Sequence, residues 1–169
     1  MLEGLVFVVR LVLAGLGATL VLDLWSLLLR LSLKAPFPNY AMVGRWIGHF
    51  PRGQWAHGAI ASAPAVDGER AIGWIAHYAI GILYAALLIG FVGQGWLNAP
   101  TLLPALAVGI ATVVAPFFLM QPAMGFGIAS SRAPNPIAAR LRSLAAHAMF
   151  GIGLYLSAFA AVLVLERSF

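Results

Sequence analysis

The chain has 169 residues, of which 62% are hydrophobic and 9% are charged, and its formal net charge is +5 at pH 7. A soluble domain is closer to half apolar and a quarter charged, so the composition excludes a water-soluble globule and indicates an integral membrane protein. The chain contains no cysteine, which excludes disulfides, thiolate metal sites, covalent c-type haem attachment and cysteine nucleophiles.

Four apolar runs are long enough to cross the hydrocarbon core of a bilayer, which takes about 20 helical residues. They cover approximately residues 5–33, 71–92, 101–120 and 141–165. Each run is predicted to be a helix, because backbone polar groups in lipid must be paired internally. The predicted fold is therefore all-α, a four-helix integral membrane bundle forming one domain over residues 1–169. Asn135 and Pro136 suit the N-cap and the first position of the last helix.

The loop between the first two runs contains "NYAMVGRWIGHF", residues 39–50, in which apolar side chains recur at helical spacing. These are Tyr40, Val43, Trp46, Ile47 and Phe50. The pattern predicts a short amphipathic helix that lies in the membrane interface, with its aromatic residues at headgroup depth. Arg45 and His49 are predicted to face elsewhere, and Pro51 is predicted to end the helix.

The cations are distributed on one side of the predicted bundle. Eight of the ten lie in the first and third loops: Arg30, Lys34, Arg45, Arg52, Arg70, Arg132, Arg140 and Arg142. The loop of residues 93–100 has none, and Arg10 and Arg167 are the exceptions. The positive-inside rule then places both cationic loops in the cytoplasm and both termini in the periplasm. Membrane orientation accounts for the positive charge, so no nucleic-acid partner is predicted.

Two spans share a histidine followed four residues later by glycine. Aligning them pairs His77 and Gly81 with His147 and Gly151. This match predicts a parallel duplication of a helical hairpin about an axis normal to the membrane. The alternative is a chance match, because alanine, glycine and leucine coincide readily between any two apolar spans.

Polar side chains form a seam on three of the predicted helices. Thr19 and Asp23 are one turn apart on the first span, His77 and Tyr84 share a face of the second, and His147 lies on the fourth. At about 1.5 Å per helical residue, Asp23, His77 and His147 each lie roughly 8–10 Å inward from a cation at the end of the helix. A charged group at the centre of a bilayer costs about 2.5–3.5 kcal/mol on insertion scales, so these groups are predicted to converge inside the bundle.

Three interpretations of this cluster stay open. The polar groups hold the helices together, with the glycines letting the helices approach closely. Alternatively they form a proton or small-solute pathway, since histidine and aspartate titrate where a relay needs them. In the third interpretation they bind haem b or a metal, with His49 and His57 as further ligands. No resident cofactor is predicted.

The loops add candidate anion-binding residues. "GFGIASSRAPNP", residues 125–136, places Arg132 before a helix N-terminus and Arg140 within its first turns, an arrangement typical of an anion or lipid-headgroup site. The alternative is a tight turn capped by Asn135. Arg45, His49 and His57 are the other loop residues predicted to bind an anion. No nucleophile elbow, P-loop, zincin helix or Rossmann glycine pattern occurs in the sequence, so no enzymatic activity is predicted.

Four blocks of sequence resemble the bacterial membrane protein family of domain of unknown function 2938. They are "GRWIGHFPRGQWAH" (44–57), "ERAIGWIAHYAIG" (69–81), "QPAMGFGIASSRAPNP" (121–136) and "SLAAHAMFGIGLY" (143–155). The resemblance implies an inner-membrane protein of four spans. It implies no activity, ligand or catalytic residue, so no site is carried over.

These observations predict a non-enzymatic protein that binds or translocates a small solute or proton at Asp23, His77 and His147. The rival interpretation is a structural or accessory membrane subunit without a ligand. The predicted partners are the lipid bilayer and a second copy of the chain. The homodimer is predicted to use the close-approach surfaces that small residues provide, at Gly15, Gly17, Gly151 and Gly153.

Overall fold

The structure of the chain is a computed structural model that describes residues 2–166. Every regular element in this range is a helix. The five main helices are α1 (Leu2–Leu33), α2 (Tyr40–Gly48), α3 (Glu69–Val92), α4 (Leu102–Ala123) and α5 (Pro136–Glu166). All except α2 are long and apolar enough to cross a membrane. The all-α prediction with four candidate spans is therefore confirmed.

The last helix begins at Pro136, five residues before the predicted apolar run and directly after the predicted N-cap Asn135. The backbone N–H of Ala138 donates to Asn135 Oδ1 at 3.0 Å, and Pro136 occupies the first helical position. An N-cap side chain satisfies one of the backbone N–H groups that the first turn leaves without a partner. The predicted cap is confirmed.

One helix departs from regular α geometry near its end. In α4 the segment Pro116–Met120 is a π-helical turn. Pro116 has no N–H to donate to the carbonyl one turn earlier, and the Thr112 carbonyl accepts instead from Ala115 N–H at 3.1 Å. Single π turns of this kind insert one extra residue into an otherwise α-helical segment.

The described residues divide into two compact units. The bundle unit contains those within 1–36, 78–111 and 146–169, and the loop unit contains residues 37–77 and 112–145. In the bundle unit, small residues form much of the buried core, which lets helix backbones approach one another. A Cβ added at Gly15 of α1 would lie 2.5 Å from Ile82 Cα of α3, and one added at Gly153 of α5 would lie 2.8 Å from Ala18 Cα of α1.

This packing bears on the predicted homodimer. Gly15, Gly17, Gly151 and Gly153 all face a neighbouring helix of the same chain; a Cβ added at Gly17, for example, would lie 2.4 Å from Ser157 Oγ. These glycines are therefore occupied within the bundle unit. The homodimer stays a prediction, but it needs a contact surface other than these four residues.

The charge pattern had one exception near the start of α1, and the structure shows its partner. The guanidinium of Arg10 donates to the side-chain carbonyl of Asn98, in the loop that carries no charge. Arg10 Nε, in contrast, is buried without a hydrogen-bond partner among the described residues. Arg167, the other exception, lies outside the described residues.

In the loop unit, α2 packs closely against the start of α3. A Cβ added at Gly44 would lie 1.8 Å from the Glu69 carbonyl oxygen, and one added at Gly73 would lie 1.8 Å from the Tyr40 carbonyl oxygen. The two backbones are therefore in direct contact. The predicted short helix is confirmed, and it ends at Gly48, just before a 3₁₀ turn that contains Pro51.

Candidate functional site

The only aspartate on α1 has a partner that the sequence pattern did not indicate. Asp23 is half-buried, and its Oδ2 accepts a hydrogen bond from Tyr78 Oη at 3.0 Å. Tyr78 lies on α3, three residues before Gly81, where α1 and α3 approach each other closely. Because Thr19 lies opposite Gly81 and Asp23 follows one turn later, the antiparallel helices bring Asp23 level with Tyr78.

Thr19 has a structural role in this contact. It is 1% exposed, and its hydroxyl donates to the Gly15 carbonyl of its own helix at 2.8 Å. A Cβ added at Gly81 would lie 2.0 Å from Thr19 Oγ1, so the hydroxyl occupies the space that this glycine leaves. Thr19 is thus satisfied by backbone and packing contacts.

His147 lies in the bundle unit beside the aromatic side chains that α3 and α5 supply. Its ring centroid is 6.4 Å from that of Tyr84, and the Tyr84 ring makes an edge contact with Phe150 at 5.9 Å. The imidazole also interacts with the backbone of Gly109 on α4. His147 and Tyr84, both predicted site residues, are therefore neighbours.

His77 belongs to an aromatic cluster of the loop unit. Its ring stacks on Tyr40 of α2, with centroids 4.1 Å apart and an interplanar angle of 25°, and Trp74 lies 4.6 Å from Tyr40. The convergence of Asp23, His77 and His147 stays a prediction. Within residues 2–166, no three histidine, aspartate or glutamate side chains are grouped so that they could hold a metal ion.

The glycines that follow the two membrane histidines have a clear packing role. Gly81 meets Thr19 and the Gly15 carbonyl on α1. A Cβ added at Gly151 would lie 2.8 Å from the Ala105 carbonyl oxygen on α4. In both places the glycine marks a close helix crossing one turn after the histidine, so the shared spacing has a structural explanation.

Arg45, predicted as an anion-binding residue, is engaged by a carboxylate of the same unit. Its guanidinium donates from Nε and Nη2 to the two oxygens of Glu69, both at 2.8 Å, and from Nη1 to the Ala63 carbonyl at 3.1 Å. The hydrogen bond to Glu69 raises the pKa of Arg45 above its ordinary value. The bidentate pair fixes the start of α3 to α2 and to the loop that follows it.

The two predicted anion-binding residues around the third loop, Arg132 and Arg140, have different surroundings. Arg140 Nε donates to the Ala129 carbonyl at 2.8 Å, which braces a turn where Ala129 and Ser130 have φ values of 47° and 55°. These left-handed conformations are costly for residues other than glycine, so the brace has a structural purpose. Arg132 remains exposed. An anion site at these two residues stays a prediction.

The two loop histidines form a buried pair. His49 and His57 are 1% and 9% exposed, and His49 Nδ1 lies 2.7 Å from His57 Nε2, which is a hydrogen-bond distance. Burial, and then the neighbouring His49, lower the pKa of His57 below its ordinary value. His57 Nδ1 and Gln121 Oε1 are buried without a hydrogen-bond partner in the described part of the chain.

A comparison with protein families decides the classification. The sequence profile of the family described as Protein of unknown function (DUF2938) matches residues 12–161. The chain belongs to the DUF2938 family. This confirms the resemblance carried by the four sequence blocks, all of which lie inside the match. No curated protein and no solved structure matches the chain.

For this DUF2938 chain, sequence reasoning missed two hydrogen-bond partners of predicted residues. Tyr78 donates to Asp23 and Glu69 accepts from Arg45, but neither stood out by spacing alone. Tyr78 directly follows His77. It could have been identified by pairing Gly81 with Thr19, which places Tyr78 opposite Asp23. Glu69 is identifiable only once α2 is placed against α3.

Proposed function

We propose that this family member is a multi-pass inner-membrane protein that binds or translocates a proton or small solute, with Asp23 as the proton-carrying group. The observation that carries the proposal is the hydrogen bond from Tyr78 to Asp23, which joins a carboxylate and a phenol on two helices that can cross a membrane. An ionisable residue within such a helix is by default a candidate functional group.

The chemistry of this pair suits proton binding. The phenol is a neutral donor, so the pair is negatively charged when Asp23 is ionised and neutral when Asp23 is protonated. A carboxyl group accepts a hydrogen bond from a phenol in both its ionised and its protonated form, so the contact with Tyr78 is compatible with proton uptake and release. The contact between His147 and Tyr84 places a second ionisable side chain in the same unit.

The proposal includes an orientation in the membrane. Both termini lie in the periplasm, and the two cationic loops lie in the cytoplasm with α2 in the interface. Eight of the ten cations lie in those loops or in the adjoining helix ends, and this distribution supports the arrangement.

The second candidate is a structural or accessory membrane subunit without a ligand. The close crossings at Gly81 and Gly151 favour it, because they give the His-and-glycine spacing a packing role. In this function the Asp23–Tyr78 hydrogen bond only holds α1 against α3.

Proton flux into liposomes separates the two functions. The protein is reconstituted with the pH-sensitive dye pyranine inside, and a valinomycin-induced potassium potential drives proton entry. We expect flux above empty liposomes for the wild type, loss of flux for Asp23→Asn, and wild-type flux for the control Asp67→Asn in an exposed loop position. Asn is nearly isosteric with Asp and still accepts from Tyr78, so the fold is expected to survive.

The opposite results identify the structural function. No flux from the wild-type protein, or equal flux from Asp23→Asn, overturns the proton proposal. Transport of a small solute is tested in the host. A strain whose only copy of the protein is the Asp23→Asn variant is expected to differ from the wild type in its sensitivity to pH or to solutes. Wild-type growth under those conditions, together with wild-type expression and folding, removes Asp23 from any transport role.

A further inference from the structure

We propose that His49 and His57 bind a divalent transition-metal ion of the type that prefers imidazole ligands, Zn²⁺ or Cu²⁺, in the loop unit. The observation behind this site is the pair of buried ring nitrogens that face each other, His49 Nδ1 and His57 Nε2, at 2.7 Å. The site is separate from Asp23 and Tyr78 and does not depend on the function proposed for them.

The distance between the two nitrogens is close to that of two imidazoles on one metal ion. At Zn–N bonds of about 2.0–2.1 Å and tetrahedral angles, two ligand nitrogens are about 3.3 Å apart. The rings therefore need to separate by only about 0.6 Å to admit the ion, which small rotations of both side chains supply. When the ion binds, the hydrogen between the two nitrogens moves to the far nitrogen of its own ring, so each neutral imidazole offers a lone pair to the ion and keeps one N–H.

The backbone holds both histidines in place before an ion binds. The carbonyl of His49 accepts from Arg52 N–H at 3.0 Å and from Gln54 N–H at 3.3 Å. On the other side, His57 N–H donates to the Ala123 carbonyl at 2.7 Å, and Ile60 N–H donates to the Met124 carbonyl at 3.0 Å. Ligands held by such bonds lose little conformational entropy when the metal ion binds.

The donor set determines the class of ion. Imidazole nitrogens suit zinc, copper and nickel, whereas magnesium and calcium prefer oxygen ligands. Glu69 is not a ligand, because its two oxygens are held by Arg45 and one of them also by Val66 N–H. The described residues supply two ligands to this ion, so water or a small exogenous molecule completes its coordination.

The atoms around the pair are consistent with a ligated histidine. A metal-bound imidazole usually donates its other N–H to an acceptor, and His57 Nδ1 is buried without a partner within residues 2–166. Gln121 Oε1 is a buried acceptor that also lacks a partner in this range, and it lies two residues before Ala123, which binds the His57 backbone.

The test is a metal titration of the purified full chain without an affinity tag, in detergent and stripped with EDTA. We expect calorimetry to show one Zn²⁺ bound per chain and no binding of Mg²⁺. His49→Gln and His57→Gln are each expected to weaken Zn²⁺ binding by more than about tenfold. His77→Gln is the matched control, since it removes an imidazole outside the pair, and its affinity is expected to equal that of the wild type.

A second measurement on the wild type covers the case in which the loop variants fail to fold. Pulsed electron paramagnetic resonance of the Cu²⁺-loaded protein is expected to show two coordinated imidazoles. Absence of Zn²⁺ and Cu²⁺ binding, equal binding by the His49 or His57 variants, or fewer than two coordinated imidazoles overturns the site. Loss of binding in His77→Gln as well also contradicts it. The proton-flux assay in EDTA reports on Asp23 separately, so the two proposals fail independently.

Discussion

The imidazole of His77 stacks on the phenol ring of Tyr40, with centroids 4.1 Å apart. The contact joins α3 to the short helix α2, which the glycine pair Gly44 and Gly73 brings within direct backbone contact of α3. The spacing predicted that this histidine belongs to the polar seam, and the structure gives it an aromatic partner in the loop unit.

This stack predicts a graded response at Tyr40. Tyr40→Ala removes the ring that contacts both His77 and Trp74, and we expect it to lower the free energy of unfolding by about 1–3 kcal/mol. Tyr40→Phe keeps the ring and is expected to lose less stability than Tyr40→Ala. Thermal unfolding in detergent measures both variants, and an equal loss for Phe and Ala contradicts a stacking role.

The close crossing of α4 and α5 predicts that Gly109 does not tolerate even a methyl group. A Cβ at Gly109 would lie 2.6 Å from Gly151 Cα, so the two backbones must separate. We expect Gly109→Ala to destabilise the fold by about 1–3 kcal/mol.

Gly90 is the matched control for this substitution, since an added Cβ there meets no heavy atom within 4 Å in the part of the chain that the structure describes. Gly90→Ala is expected to be neutral or stabilising by up to about 1 kcal/mol, because alanine favours helix. If Gly109→Ala and Gly90→Ala lower the free energy of unfolding by the same amount, the tight crossing at Gly109 is contradicted.

The buried histidine pair predicts acid sensitivity in metal-free buffer. Burial lowers the pKa of His57 in the fold, so the unfolded chain binds the proton more readily. Stability is therefore full above the ordinary histidine pKa of about 6.5 and declines as the pH falls below it. We expect the melting temperature in EDTA to fall between about pH 7.5 and pH 5, and His57→Gln to flatten this decline. A wild-type decline that His57→Gln leaves unchanged assigns the effect to another group.

The bidentate contact of Arg45 with Glu69 predicts that lysine does not replace arginine. Lys donates from a single nitrogen and cannot reproduce two parallel hydrogen bonds, so Arg45→Lys is expected to lose most of the stability that Arg45→Gln loses. The losses in Arg45→Gln and Glu69→Gln are expected to be non-additive in the double variant. Additive losses in a thermal double-mutant cycle contradict the pairing.

The orientation predicts the outcome of reporter fusions. Alkaline phosphatase, which is active only outside the cytoplasm, is expected to be active when fused after Asn98 and inactive when fused after Pro64. Green fluorescent protein, which folds in the cytoplasm, is expected to give the reverse pattern at the same two positions. The opposite result for both reporters inverts the proposed topology.

The sequence was sufficient for elements that depend on composition and local chemistry. The four spans follow from apolar length, and the start of α5 follows from Asn135 and Pro136. Partners across helices were harder to predict, because the rotation of α1 is set by where Gly15 packs against α3. The hydrogen bond from Tyr78 to Asp23 depends on that rotation, so hydropathy alone did not reveal it.

The loop pairs were missed for a different reason. His49 and His57 are separated by a turn that contains Pro51 and a left-handed Gly53, with φ of 70°. Their contact depends on the path of this turn and on the bond from His57 N–H to the Ala123 carbonyl, which comes from a distant part of the sequence. Helical spacing correctly placed His49 at the end of α2 but carried no information about what covers it.

The π turn at Pro116–Met120 sets the angular phase of everything that follows it in α4. One inserted residue advances the chain by about 100° around the helix axis relative to an unbroken α-helix. The carbonyls of Ala123 and Met124, which accept from the backbone at His57 and Ile60, come after that advance. Deleting a single residue, Phe118, restores the ordinary phase and turns both acceptors away from the segment they anchor, so the length of this turn matters more than its side chains.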